Sequence, residues 1–171
     1  MKKREYIAEN KKAAAVVEEK LKKAQYYPAD KKNVSIFKDE IDVMEIAKKW
    51  SYFMTDDLEG SNKGFDTIKK YLIKDSYMYN VAYKWATGID ITLTSAHRTS
   101  DNYFKNEKVS NFVKYSDNLF SCDISFVKYM YLYKSNKWVD DPMNSTFYFL
   151  NIGDENKPNW VILDIQEIVS K

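Results

Sequence analysis

The chain has 171 residues, of which 44% are hydrophobic and 30% charged, so it can bury the core of one domain and is not a disordered segment. One histidine, one cysteine and four glycines exclude a disulfide framework, a Cys/His zinc site and a glycine-rich phosphate loop. No metal or cofactor is therefore predicted. Only Arg4 and Arg98 are arginine among 27 basic residues, which argues against nucleic-acid binding because arginine is the usual reader of phosphate and guanine.

The net charge of +2 is distributed unevenly along the chain. Residues 1–32 hold ten basic and five acidic residues, whereas residues 33–171 hold 17 basic and 20 acidic ones. Residues 3–25 are rich in Ala, Glu and Lys, a composition that predicts a helix, and Pro28 stops it. We therefore expect a basic helical arm over residues 1–32, followed by a mildly acidic α+β domain over residues 33–171.

The sequence contains no apolar stretch near 18 residues and no apolar segment of a signal peptide after Met1. A polar, basic helix of this kind commonly links a membrane anchor to a folded head. The sequence thus favours an extracytoplasmic domain, held at the membrane only through an anchor that is absent from this chain. The alternative is a cytoplasmic protein.

The strongest periodic signal follows Asp42 and Glu45, which have the D-x-x-E form of a helix start. Apolar residues then recur at intervals of three and four, which predicts a helix over residues 41–57. A short helix is predicted at residues 65–72.

A further helix is expected to begin at Asp75 or Ser76 and to end at Gly88. After Gly88 the hydrophobic period changes from 3.6 to 2, so residues 89–97 are predicted to form a strand. The same alternation predicts four more strands, separated by turns at 136–137, 141–142 and 153–158. These strands are residues 108–115, 120–133, 146–150 and 160–168.

Helices that precede an antiparallel meander are typical of an α+β fold with the helices on one face of the sheet. Two hairpin strands, FSCDISF (120–126) and STFYFL (145–150), are followed by NWVILDI (159–165), which is similar to the closing W-x-I-x-D strand of many NTF2-like (SnoaL-like, cystatin-like cone) domains. The chain thus resembles the NTF2-like superfamily. The resemblance covers residues 40–168. It implies a strongly curved sheet wrapped on helices, a pocket inside the cone and frequent dimers through the sheet. It implies no particular reaction, because the superfamily contains enzymes, ligand-binding proteins and accessory domains.

Candidate pocket residues are the large side chains on the predicted inward faces, namely Trp50, Phe53 and Trp85, together with His97. The aromatic rings could cage an apolar small ligand, or they could simply fill the space between helices and sheet. His97 is the candidate general base, but no carboxylate is placed beside it, and a hydrogen-bonded histidine at a strand end is the alternative. We assign no catalytic residue.

The predicted strands also contain a thiol and three carboxylates that could take part in chemistry. Cys122 shares the apolar face of the 120–133 strand, where no neighbour lowers a thiol pKa, so an inert buried thiol is expected. Asp90, Asp123 and Asp164 could meet as paired carboxylates across adjacent strands, or they could lie on a solvated sheet surface.

Tyr129, Tyr131 and Tyr133 alternate along one strand, opposite the apolar face. Consecutive tyrosines on one face form a broad amphipathic patch of the kind that interfaces use. The sequence therefore favours a non-catalytic binding or assembly domain that contacts a protein partner, or a second copy of itself, through this face. The alternatives are a small-molecule-binding or SnoaL-like enzyme domain with a pocket near Trp50, Trp85 and His97, and a component of a Gram-positive conjugation or secretion machine.

Overall fold

A computed structural model of the chain describes residues 41–55, 65–86, 103–132, 136–154 and 156–169. Within these ranges, helices come first and four antiparallel strands follow in the order β1-β2-β3-β4. The predicted arm (1–32) and the predicted strand 89–97 lie outside the described residues. The elements are α1 (Val43–Thr55), a 3-10 helix (Lys69–Tyr71), α2 (Tyr77–Ala86), β1 (Tyr103–Ser116), β2 (Leu119–Leu132), β3 (Lys137–Asn151) and β4 (Trp160–Glu167). The α+β layout predicted from the sequence is confirmed.

Side-chain caps define where both α-helices begin. The carboxylate of Asp42 accepts a hydrogen bond from the backbone N–H of Glu45 at 3.1 Å, so the D-x-x-E prediction for α1 is confirmed. The hydroxyl of Ser76 accepts the backbone N–H of Tyr79 at 3.2 Å, which identifies Ser76 as the cap of α2. Each cap satisfies one of the N–H groups that the first turn of a helix leaves without a partner.

The helices bury their apolar sides against one face of the sheet, which we call the inner face. Ile46, Ala47, Trp50 and Phe53 of α1 are all buried there. An ion pair between Lys48 and Glu107 also joins α1 to β1. The core that these elements share includes Phe112, Phe120, Cys122, Ile124, Phe126, Phe147, Phe149 and Ile162 from the strands.

The β2–β3 hairpin is paired from Leu119↔Leu150 to Leu132↔Lys137 without a register shift. Alternate residues of β2 therefore point to opposite faces over the whole strand. Phe120, Cys122, Ile124 and Phe126 are all buried on the inner face, as the alternation in the sequence predicts.

β1 is longer than predicted, and three irregularities interrupt its pairing with β2. Relative to β2, one extra residue lies between Lys105 and Lys108, one between Ser110 and Val113, and one between Lys114 and Ser116. Asn106 and Asn111 lie at the first two of these points with φ of 58° and 52°, a left-handed conformation that asparagine tolerates. Such bulges bend and twist a strand and shift its alternation. The prediction assumed strict alternation of apolar and polar residues, and it therefore found only part of β1.

The predicted turn at residues 141–142 is wrong, because both residues lie inside the fifteen-residue strand β3. Asp141 pairs with Lys128 and Pro142 with Val127. Proline is usually excluded from a central strand because it lacks a backbone N–H. Here β4 pairs only with residues 145–151 of β3, so β3 has β2 alone as a strand neighbour at Pro142 among the described strands.

Hydrogen bonds to Asn151 hold together the loop that joins β3 to β4. The side-chain oxygen of Asn151 accepts hydrogen bonds from the backbone N–H groups of Gly153 (2.9 Å) and Asn159 (2.8 Å). A Cβ on Gly153 would collide with the carbonyl oxygen of Lys157 and would lie 2.7 Å from the nitrogen of Asn159. Glycine is therefore needed for the close approach of the two sides of the loop.

We expect the substitution Ser76→Ala to lower the free energy of unfolding by about 1 kcal/mol, because it removes the cap of α2. Ser76→Asp should retain most of the stability, since aspartate is an equally good cap. Urea unfolding followed by circular dichroism measures both variants. Equal losses for the alanine and aspartate variants would show that the cap does not stabilise α2.

Candidate functional site

Four aromatic side chains from three strands meet on the face of the sheet opposite the helices, which we call the outer face. This aromatic cluster consists of Tyr103 (β1), Tyr129 and Tyr131 (β2) and Trp138 (β3). Trp138 stacks on Tyr129, with ring centroids 4.9 Å apart and an interplanar angle of 16°. Tyr131 and Tyr103 approach the same indole at 5.3 and 5.9 Å. Strand register explains the meeting, since Tyr103 pairs with Tyr129 and Tyr131 pairs with Trp138.

The cluster keeps a large apolar surface in contact with solvent. Tyr103 is 58% exposed and Trp138 is 40% exposed, while Tyr129 and Tyr131 are half-buried. The ammonium of Lys105 lies 4.9 Å from the centre of the Tyr129 ring and forms an ion pair with Asp140 at 3.2 Å. These two charges therefore compensate each other beside the aromatic rings.

Two of the three predicted interface residues, Tyr129 and Tyr131, lie together in this cluster, and Tyr133 lies outside the described residues. The sequence prediction missed Tyr103 and Trp138. Trp138 follows the predicted turn at 136–137, but that turn does not give the register that pairs Trp138 with Tyr131. Tyr103 could not be found either, because the bulges of β1 obscure its register.

The middle of the outer face is polar. Asp123 accepts hydrogen bonds from the Asn111 amide (2.7 Å) and from the Thr146 hydroxyl (2.6 Å). Asp164 lies on β4 and accepts the amide of Gln166 at 3.2 Å. β3 separates the two aspartates, since Asp123 pairs with Thr146 and Asp164 with Tyr148, so strand spacing places them at least about 10 Å apart. They do not form the paired carboxylate site considered from the sequence, and Asp90 lies outside the described residues.

The inner face holds a cleft of about 440 Å³ between the helices and the strands β3 and β4. Trp50 of α1, Tyr77 and Met78 of α2, and Met143 of β3 supply its apolar walls. This volume lies within the range of small-molecule pockets.

The predicted pocket residues have different positions in the structure. Trp50 lines the cleft, whereas Phe53 is buried in the core beside it, with the two ring centroids 5.9 Å apart. Trp85 lies within α2, but its side chain is outside what the structure describes, as is the whole of His97. Phe53 therefore supports the wall of the cleft from behind and does not line it.

Lys128 is a buried charged residue that the sequence analysis did not single out. It lies on the inner face of β2 with none of its surface exposed, two residues after Phe126. Its ammonium lies 5.0 Å from the centre of the Tyr52 ring of α1, close enough for a cation–π interaction. The alternation of β2 is the signal that could have found it, because Lys128 occupies an inward position by parity.

The described ranges contain no group of three His, Cys, Asp or Glu side chains that could hold a metal ion. Over the same ranges, no helix has the length and apolar character needed to cross a bilayer. Compared with family models, curated proteins and solved structures, the chain matches none of them. The arrangement of side chains is thus the basis for any functional proposal.

Cys122 is fully buried on the inner face of β2. Burial, with a smaller contribution from the neighbouring Asp123 carboxylate, raises the pKa of the Cys122 thiol above its usual range. The thiolate is the nucleophilic form, so the folded protein presents no reactive cysteine here.

We expect the Cys122 thiol to resist alkylation by iodoacetamide in the native protein and to react readily in denaturant. Because its pKa is higher in the folded than in the unfolded chain, its stabilising contribution is complete below the ordinary thiol range and decreases as the pH rises above it. Mass spectrometry of the alkylated protein measures the rate. Rapid labelling under native conditions would contradict the buried position of the thiol.

Proposed function

We propose that this chain is a non-catalytic binding or assembly domain that associates through the aromatic cluster on its outer sheet face. The observation that carries the proposal is the exposure of Trp138, at the centre of a four-ring cluster, and of Tyr103 at its edge. Scattered exposed apolar residues need no explanation, but a contiguous aromatic patch is a feature of interaction sites.

The chemistry of the cluster suits a protein surface as partner. Tyrosine and tryptophan combine a large apolar area with a polar tip and lose little side-chain entropy on binding, which is why interfaces are enriched in them. Covering the exposed parts of Tyr103 and Trp138 removes apolar area worth on the order of 25 cal/mol per Å². At the edge of the aromatic cluster, Lys105 and Asp140 form an ion pair, so neither adds an unpaired charge there. A second copy of this chain is the partner that the first experiment tests.

The fold proposal is that the helices and the sheet form an NTF2-like cone. Helices on one face, antiparallel strand order and the bulges of β1 support it, because bulges add curvature to a sheet.

The proposal also includes a basic helical arm over residues 1–32 and an extracytoplasmic location, with the arm linking the domain to a membrane anchor. The charge asymmetry of the sequence supports the arm.

We expect Tyr131→Glu to weaken association at least about tenfold, because burying an unpaired carboxylate at an interface costs more than the 1.4 kcal/mol that a tenfold change represents. Tyr131 lies on the outer face, so the fold should persist. Light scattering measures association, and circular dichroism measures the fold.

Tyr83→Glu is the matched control for this experiment. Tyr83 is 52% exposed on α2 and does not belong to the aromatic cluster, so its substitution should leave association unchanged. A wild-type protein that stays monomeric at all concentrations would argue against self-association, and an unaffected Tyr131→Glu variant would show that the interface lies elsewhere.

Deletion of residues 2–26 tests the proposed arm. We expect the shortened chain to fold, with only a small decrease in Tm, because the Ala-rich stripe of the arm buries little apolar area. Thermal unfolding by circular dichroism gives the Tm. An aggregated or unfolded product would show that these residues belong to the core.

A further inference from the structure

We propose that the cleft on the inner face binds a small organic ammonium ion with an apolar body. This site is separate from the outer-face cluster and does not depend on association of the protein. It is defined by three features of the cleft: aromatic and thioether walls, two carboxylates that form no ion pair with any described residue, and a buried hydroxyl.

The floor of the cleft is the inner face of β3. Asp141, Met143 and Ser145 follow each other at intervals of two, so their side chains point to the same side of the strand, and all three line the cleft. Glu167 pairs with Ser145 across the β3–β4 ladder and adds a second carboxylate. The walls carry Trp50 and Tyr77, whose rings can attract a cation through their faces.

The charge of the cleft favours a cation. Among the described residues that line the cleft, Asp141 and Glu167 carry carboxylates, and no Lys, Arg or His is present. Neither carboxylate forms an ion pair within the described part of the chain. Lys128 is the cross-strand neighbour of Asp141, but its ammonium lies over the Tyr52 ring. Two carboxylates that form no ion pair in the described part of the chain, beside aromatic rings, are complementary to an ammonium group and unfavourable for an anion.

Ser145 supplies the third feature. It is only 7% exposed and lines the cleft, and its hydroxyl has no hydrogen-bond partner among the described residues. A buried hydroxyl without a partner is unfavourable, so a ligand that donates a hydrogen bond is favoured at this point. A primary ammonium carries three N–H donors, enough to bond both the Ser145 hydroxyl and the carboxylate of its cross-strand neighbour Glu167, while Asp141, four residues away along β3, attracts the ammonium by its charge. Its apolar body would contact Met78, Met143 and Trp50.

The test compares two probes of equal size, 2-phenylethylammonium and the neutral 2-phenylethanol. Protein with ¹³C-labelled methionine methyl groups is titrated with each probe up to about 10 mM, the range of weak fragment-like binding. We expect the ammonium probe to shift the Met78 and Met143 resonances and to leave Met44, which is outside the cleft, unshifted. The neutral probe should bind at least about fivefold more weakly, because it lacks the charge that the cleft complements.

Asp141→Asn and Glu167→Gln should each weaken binding of the ammonium probe about three- to tenfold while preserving the shape of the cleft. Asp140→Asn is the matched control, because Asp140 is the preceding residue on the outer face and should not affect binding. Circular dichroism verifies the fold, and Glu167→Gln, at the exposed end of β4, provides the test if Asp141→Asn does not fold. Equal affinity for both probes, shifts outside the cleft, or no shift of Met78 and Met143 would overturn the proposal.

Discussion

The uninterrupted register of the β2–β3 hairpin determines the positions of both candidate sites. Because pairing runs without a shift from Leu119↔Leu150 to Leu132↔Lys137, every residue of these two strands is assigned to one face by parity alone. Adjacent residues therefore serve different surfaces: Asp140 forms an ion pair beside the aromatic cluster, and Asp141 lines the cleft. A shift of one residue would exchange these roles and expose the core phenylalanines.

The two faces differ in how they treat charge. On the outer face, Lys105 and Asp140 compensate each other, and the Asp123 carboxylate is occupied by two hydrogen bonds. On the inner face, the carboxylates of the cleft have no such ion-pair partners within the described residues, and Lys128 is buried against an aromatic ring. Exposed ion pairs contribute little to stability, whereas charges in a partly enclosed site interact more strongly with whatever enters it. This difference in charge favours a protein contact at the outer face and a charged ligand in the cleft on the inner face.

Much of this architecture could be predicted from the sequence, and the failures have physical causes. The cap at Asp42, the periodicity of α1 and the phase of β2 were all readable, because local hydrogen bonding and burial dictate them. Pro142 misled the prediction of β3, because it lies at an edge of the sheet where β4 has ended, and that edge depends on tertiary pairing. The cluster around Trp138 required knowledge of hairpin register, and the cleft required the packing of helices on the sheet. Neither leaves a periodic signal in the sequence.

The hydrogen bonds that converge on Asp123 also restrict how this chain can change during evolution. Asn111 donates through its amide nitrogen, and it does so from a left-handed conformation that asparagine tolerates better than most residues. An acidic residue at 111 would bring two carboxylates together, and an apolar residue at 123 would leave both the amide and the Thr146 hydroxyl without their acceptor. Positions 111, 123 and 146 are therefore expected to vary together in related sequences, although they lie on three different strands.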